Sequence, residues 1–368
     1  MGKREHAPDF TLIATIGIIV IFGIVMLMSA SSVVSYERFG SSNYLVNHQI
    51  LYGLLFGIVG LFAAFKIDYH RYRKLAFPLL AFTFLLLVAV FIPNIGYEFG
   101  GAKRWISLGT TTFQPTELLK LTFLIYLATW LEKRGEAIKD AAYGLIPFLI
   151  ILGVIATLVM MQPDLGTMTI IALISIVVYY VAGAPLKHFF WMMGGGAILL
   201  FLLIQTSGYR ASRFTVFLNP SLDPQGIGYH INQALLAIGS GGLFGLGLGH
   251  SRQKYNFLPE VTGDSIFAVI AEELGFIIAV GLIILFIVLL VRGFSIASRA
   301  PDMYGKLLAT GITSWFVIQA LINVGAMVGL LPLTGIPLPF VSYGSSALAI
   351  SLIAVGVLIN ISKQTKNA

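Results

Sequence analysis

Residues 237–275 read AIGSGGLFGLGLGHSRQKYNFLPEVTGDSIFAVIAEELG, and the chain stays apolar beyond them to about residue 291. A glycine-rich segment, a polar segment and Asp264 stand here against the mouth of a hydrophobic run. A helix needs roughly 20 apolar residues to cross a bilayer, and this run exceeds that. Polar groups delivered to the start of such a span are where a membrane protein would do chemistry. Asp264 is therefore the first candidate for a catalytic group.

The rest of the chain agrees with a membrane reading. Of 368 residues, 57% are hydrophobic and 11% charged, with mean hydropathy +0.90; soluble chains carry about 25% charged residues. There are no cysteines, which excludes disulfides, thiolate nucleophiles and cysteine-held metals. The first apolar run, from about Phe10, is longer than a signal-peptide core and is followed by no small-residue cleavage pattern, so it is expected to be retained.

Ten spans are predicted, near 10–32, 47–65, 75–93, 118–131, 143–161, 167–183, 186–206, 266–291, 305–330 and 340–361. Helices are expected because a lipid-exposed backbone must satisfy its own hydrogen bonds, and no ten-residue alternation of a barrel strand is present. The predicted class is an all-α polytopic membrane protein. It forms one domain over 1–368, with a long extracytoplasmic loop between spans 7 and 8.

Lys and Arg set the orientation. With the N-terminus in the cytoplasm, fifteen cations fall inside, seven outside, and Lys120 within the fourth span. Both termini are thus expected in the cytoplasm. Six of the seven outer cations fall in loops 94–117 and 207–265. A connection as long as the second is usually functional or disordered, and its Phe214, Phe217, Tyr229, Ile231, Leu235, Leu236 and Ile238 are too apolar for disorder. Within it, GYHINQALLAIGS predicts a short amphipathic helix on the membrane surface and GGLFGLGLG a tight or re-entrant turn.

Each candidate residue has a bland reading beside a functional one. Asp264 is either a helix N-cap or a desolvated general base, or a hard oxygen ligand for a divalent cation. Glu260 is a possible second carboxylate. Glu272 and Glu273 lie inside the same span, about two turns after Asp264 on much the same face. They serve function directly or tie the span to another helix, with Asn323 and Gln319 as expected partners. Lys103 and Arg104, beside Trp105, are interfacial snorkelling cations or a phosphate site. Glu117 and Lys120 pair at i,i+3, at an unusual depth. Asp164 in QPDLGT needs only turn chemistry. Arg210 and Arg213 are solvated or hold an anion. Ser342 and Tyr343, in GIPLPFVSYGSSA, stand where Pro337 and Pro339 break the start of the last span.

Loops 94–117, 162–166, 207–265 and 331–345 all fall on one side of the membrane. That convergence argues for an outward-facing site accepting an anionic, lipid-linked substrate. No P-loop, HExxH or GxSxG pattern is present, so nucleotide hydrolysis, zinc proteolysis and serine hydrolysis have no support.

At GAKRWISLG, FQPTELLKL, QPDLGT, FLNPSLDPQGIGYHINQALLAIGSGGLFGLGLG, FLPEVTGDSIFAVIAEELG and GIPLPFVSYGSSAL the sequence resembles the SEDS family (shape, elongation, division and sporulation) of FtsW, RodA and SpoVE. The pieces run in the family order and cover nearly the whole chain. FGIVMLMSASS and GAKRWI look closer to the FtsW branch than to RodA. Two departures stand out: Thr262-Gly263 where the family usually has His-Thr, and Ser345 in place of the second glycine of its SYGGSS-like motif.

The resemblance implies a peptidoglycan glycosyltransferase that polymerises lipid II on the outer face of a bacterial plasma membrane, for division or elongation. It implies Asp264 as the essential aspartate, as base or through a bound Mg or Mn ion. Lys103, Arg104, Arg210 and Arg213 would hold the donor pyrophosphate. Glu117, Lys120, Glu260, Ser342 and Tyr343 complete the expected substrate site, with Asp164, Glu272 and Glu273 in support. The implied partners are lipid II, the growing glycan strand, a class B penicillin-binding protein and divisome or elongasome proteins; no nucleic acid is implied. Two rivals of other classes stand: a lipid II flippase, for which Glu272, Glu273 and Lys120 would line a path, and a non-catalytic scaffold for a transpeptidase.

Overall fold

The computed structural model describes residues 7–99, 101–205, 215–219, 222–223 and 225–365. Helices α1 (Phe10–Phe39), α2 (Tyr44–Lys66, π-helical over Gln49–Leu55) and α3 (His70–Ala89) come first. Strands β1 (Gly96–Phe99), β2 (Ala102–Ser107) and β3 (Thr112–Phe113) follow. Then come α4 (Pro115–Arg134), α5 (Ala141–Met160), α6 (Leu165–Val181), α7 (Leu186–Gln205) and α8 (Ile227–Ser240). The chain closes with α9 (Ile266–Arg299), α10 (Met303–Met327) and α11 (Ser345–Ser362).

Among the described residues seven helices are long and apolar enough to cross a bilayer: α1, α2, α3, α5, α9, α10 and α11. Helices α4, α6 and α7 occupy the three other predicted span positions. The chain is a multi-pass membrane protein. Its outer helices turn apolar side chains outward, as Phe62, Phe77 and Leu85 do, which is what a lipid surround requires.

Helix α10 is buried along nearly its whole length and forms the hub. Small residues let neighbours close on one another. A Cβ on Gly356 of α11 would lie 2.4 Å from the Leu61 carbonyl oxygen of α2, so the two backbones nearly touch. At the far end of the bundle Tyr69 donates its hydroxyl to Asp302, and burial together with that carboxylate holds the phenol well above its ordinary pKa. Tyr69 therefore stays a donor, and this cluster is a tie between the α2–α3 and α9–α10 turns.

The 94–117 connection, read from sequence as a loop, contains a small antiparallel sheet of order β1-β2-β3. Gly96 pairs with Ile106 and Phe99 with Ala102, while Ile106 pairs with Phe113. Ala102 and Ile106 point inward at opposite ends of β2. Two charges and a tryptophan between them hide the alternation in the sequence.

Helix α9 is broken at Gly275, whose φ of 79° and ψ of 179° are not helical. The break frees backbone groups inside an apolar span, and each must find a partner. The glycine-rich loop supplies them. Leu246 N and Gly247 N donate to the carbonyls of Glu272 and Glu273 at 3.0 and 2.9 Å, and Phe276 N donates to Gly242 O at 2.9 Å. Only glycine permits this approach: a Cβ on Gly245 would stand 2.2 Å from Glu273 O, and one on Gly275 2.3 Å from Gly245 N. The predicted re-entrant turn thus completes a helix that the sequence reads as continuous.

Candidate active site

Asp264 closes a turn over residues 259–265. Gly263 N and Ser265 N both donate to Glu260 O, at 2.9 and 3.3 Å. Glu260 adopts a left-handed φ of 50°, a strained setting for a non-glycine residue beside a candidate site. The N-cap position of α9 is Ser265, which makes no side-chain cap bond; Asp264 precedes it and is 8% exposed.

Three backbone carbonyls in a row are pinned by distant segments. Tyr343 N donates to Thr262 O at 2.8 Å. Ser342 Oγ donates to Gly263 O at 2.6 Å and itself accepts from Leu338 N at 2.8 Å. Asn323 Nδ2 donates to Asp264 O at 2.7 Å and to Ile336 O at 2.8 Å. The proline-broken segment 331–344 and α10 thus hold the aspartate turn from two sides.

One helical turn away on α10, Gln319 repeats the pattern. Its Nε2 donates to Pro337 O at 2.9 Å, and its Oε1 accepts from Lys120 Nζ at 3.1 Å and Trp315 Nε1 at 2.8 Å. Lys120 Nζ is 2.9 Å from Glu117 and lies over the Trp315 ring at 4.7 Å. Lys120 and Glu117 are both buried. Asp264, Ser342, Tyr343, Glu117 and Lys120, far apart in sequence, therefore share one polar junction around residues 336–343.

Other predicted residues stand beside this junction with structural partners. Asp164 caps α6, accepting from Thr167 N at 3.0 Å and from Thr167 Oγ1 at 2.8 Å. Its turn packs beneath residues 334–336, where a Cβ on Gly166 would meet Thr334 O at 2.9 Å. Arg104 donates to Gln162 O at 2.9 Å and to Pro163 O, bracing the sheet on that turn. Arg104→Ala should cost about 1–3 kcal/mol, because it removes charge-assisted bonds to two carbonyls. A melting temperature in detergent equal to that of the unsubstituted chain would contradict the bracing role. Lys103 is exposed, 4.0 Å from Glu98. Arg210 and Arg213 lie outside the described residues.

Glu272 and Glu273 do not meet Asn323 and Gln319, the partners expected from sequence, because both amides serve carbonyls of the 336–337 segment. Glu272 accepts from Ser251 Oγ at 2.5 Å and Arg252 N at 2.9 Å. Glu273 accepts from Lys254 Nζ at 3.0 Å, Ser29 Oγ at 2.7 Å and Ser251 N at 3.2 Å. The two acids anchor loop 249–254 and α1 to the break in α9. The pairing of Lys254 with Glu273 was missed because the lysine reads as an outer-loop cation. His230 was also missed: its Nε2 lies 2.6 Å from Ser265 Oγ, and no spacing in the sequence announces that contact.

A divalent ion has few protein ligands available here. Among the described residues no group of three His, Asp or Glu is placed to hold a metal. Mg commonly keeps several waters and takes one or two carboxylates plus substrate phosphates. Asp264 fits that sparse mode, with Glu260 folded over Gly263 in the same turn.

The sequence profile of the Cell cycle protein family, FtsW/RodA/SpoVE, matches residues 10–367. Stage V sporulation protein E of Bacillus subtilis (strain 168) is 41% identical over 366 residues, covering 100% of both chains. The probable peptidoglycan glycosyltransferase FtsW of Geobacter sp. (strain M18) is 40% identical over 366 residues, again covering 100% of both. A solved chain from work on the structural coordination of polymerization and crosslinking by a peptidoglycan synthase complex superposes with TM-score 0.81. It is 29% identical, over 97% of this chain and 98% of that one. The rod shape determining protein RodA of Thermus thermophilus superposes with TM-score 0.72 and is 30% identical, over 98% and 99%.

Proposed function

The chain belongs to the Cell cycle protein family of FtsW, RodA and SpoVE, and we propose that Asp264 is the reacting carboxylate of a peptidoglycan glycosyltransferase that polymerises lipid II. The observation that carries this reading is the clamping of residues 262–264 by Tyr343, Ser342 and Asn323. These bonds fix the backbone that carries a nearly buried carboxylate, as transfer between two large substrates requires.

In the proposed reaction the 4-hydroxyl of an acceptor GlcNAc attacks the anomeric carbon of the donor sugar. The new O–C bond forms as the bond from that carbon to pyrophosphate breaks, and the polyprenyl pyrophosphate leaves. Asp264 accepts the hydroxyl proton; were a Mg or Mn ion bound at this site, Asp264 is the residue that would hold it. Such an ion would offset charge on the leaving pyrophosphate. Lys103, with Arg210 and Arg213, supplies outer cations for the same group; Arg104 contributes by bracing the sheet. Lys120 and Glu117 form a buried polar pair joined through Gln319 to the 336–343 segment, and Glu260 lies within the aspartate turn.

The excess of Lys and Arg in the opposite loops supports both termini in the cytoplasm and this site outside. A class B penicillin-binding protein is the proposed partner, in keeping with the solved relative from a polymerising and crosslinking complex. Neither buried ion pair favours a flippase: each charge is paired with a neighbour inside the bundle.

The test is polymer formation from labelled lipid II by the purified chain in detergent, with the partner protein and with or without chelator. Glycan polymer is expected although no transport is possible there. Its absence with partner present would contradict the enzyme reading. Polymer that persists in chelator leaves proton abstraction as the role of Asp264.

A further inference from the structure

We infer that His230 is a positioning residue for Asp264, acting through the hydroxyl of Ser265; this rests on the reading of Asp264 as the reacting carboxylate. The two contacting residues are 35 positions apart in the chain. They meet because of how α8 is held. Asp223 Oδ2 accepts from Ile227 N at 2.8 Å, which fixes the first turn of the helix. Gly228, Ile231, Ala234 and Ala237 form its buried face. That small-residue face lets α8 lie close on α9 and sets its rotation. His230, next to the buried Ile231, is thereby half-buried against the 259–265 turn.

Hydrogen-bond chemistry then assigns the direction of each contact. Ser265 is fully buried, and its hydroxyl has one proton. Pro259 O, at 2.8 Å, is the nearer of two groups that can only accept from it, Asp264 Oδ1 being the other. With the hydroxyl proton turned to Pro259 O, the 2.6 Å contact to His230 is donated by the Nε2–H tautomer of the imidazole. Asp264 Oδ1 stands 3.4 Å from the same Oγ, along the other direction in which the hydroxyl can turn. The imidazole thus fixes the oxygen that neighbours the reacting carboxylate. Without it the hydroxyl and the carboxylate each gain freedom, which penalises the aligned arrangement. The effect should fall on turnover, because the contact of His230 with the aspartate turn runs through the Ser265 hydroxyl.

The test uses the full chain in detergent with its transpeptidase partner and labelled lipid II, measuring kcat and KM, with melting temperature as the check on folding. His230→Ala and Ser265→Ala should each lower kcat about tenfold, the scale of one lost hydrogen bond, with KM changed less than about twofold. The double variant should fall no further than either single one, because both remove the same contact. His230→Gln, which keeps a donor, should recover most of the turnover, and His230→Met, of similar size but without one, should not. Equal kcat for the Gln and Met variants overturns the inference even if the alanine variant fails to fold, as does a multiplicative, roughly hundredfold loss in the double variant. A silent Asp264→Ala beside a fully active His230→Ala overturns the positioning role alone. An active Asp264→Ala overturns the reading on which it rests.

Discussion

Lys254→Ala should melt well below the unsubstituted chain and lose polymerising activity. Lys254 is 3% exposed and Glu273 0%, with Nζ and Oε1 3.0 Å apart. Lys254 Nζ also donates to Gly249 O at 2.7 Å and to Ser29 Oγ at 3.2 Å. Removing the lysine leaves a carboxylate in an apolar span with its counter-charge gone. Breaking a buried pair in this way costs about 3–5 kcal/mol, a large share of the roughly 5–15 kcal/mol that keeps a typical domain folded. The loss should spread, because the same acids hold loop 249–254 against the break in α9, two turns from Asp264. Replacing both partners with methionine should recover much of the stability, since two apolar side chains need no compensation there. Thermal unfolding in detergent checks both variants. A Lys254→Ala melt within a degree or two of the parent would show that the pair is not holding the break.

Asp264→Ala should lose on the order of a thousandfold in polymerisation rate while keeping its fold. Removing a general base typically costs about 10²–10⁴ in rate. Loss of a mere helix cap would instead cost about 1 kcal/mol of stability and leave turnover alone. The two outcomes differ in kind, so melting temperature and rate measured on the same preparation separate them. The geometry favours the rate effect, because Ser265 occupies the N-cap position and the turn is held through the carbonyls of residues 262–264.

The multi-pass helical layout was legible because bilayer thickness forces long apolar runs that composition cannot hide. The amphipathic helix α8 was legible for a related reason, its apolar residues recurring at helical spacing. The sheet at residues 96–113 was not, since β2 has only two inward residues and its neighbours are charged. Nor was the break in α9: EELGF reads as continuous helix, and the break shows only in space, in the φ of Gly275 and the approach of Gly241, Gly245 and Gly275 to facing backbone. In the candidate site, Asp264, Glu117, Lys120, Ser342 and Tyr343 were legible as polar groups at the mouths of spans. What joins them was less so, because Gln319 and Asn323 lie deep in α10 and act through backbone carbonyls of a proline-broken segment. Partners of that sort leave no spacing signature. The same holds for Lys254, whose place in a loop gave no hint that it folds back onto Glu273.

One measurement bears most directly on the claim that Asp264 is the reacting carboxylate. It is the polymer formed from labelled lipid II by purified wild-type and Asp264→Asn chains, side by side in detergent with the transpeptidase partner. Asparagine keeps the size and most hydrogen bonds of the side chain but neither abstracts a proton nor carries a charge for a cation. The account predicts a ladder of glycan strands from the wild type and none from Asp264→Asn at an equal melting temperature. Ladders of similar intensity from both chains would contradict it.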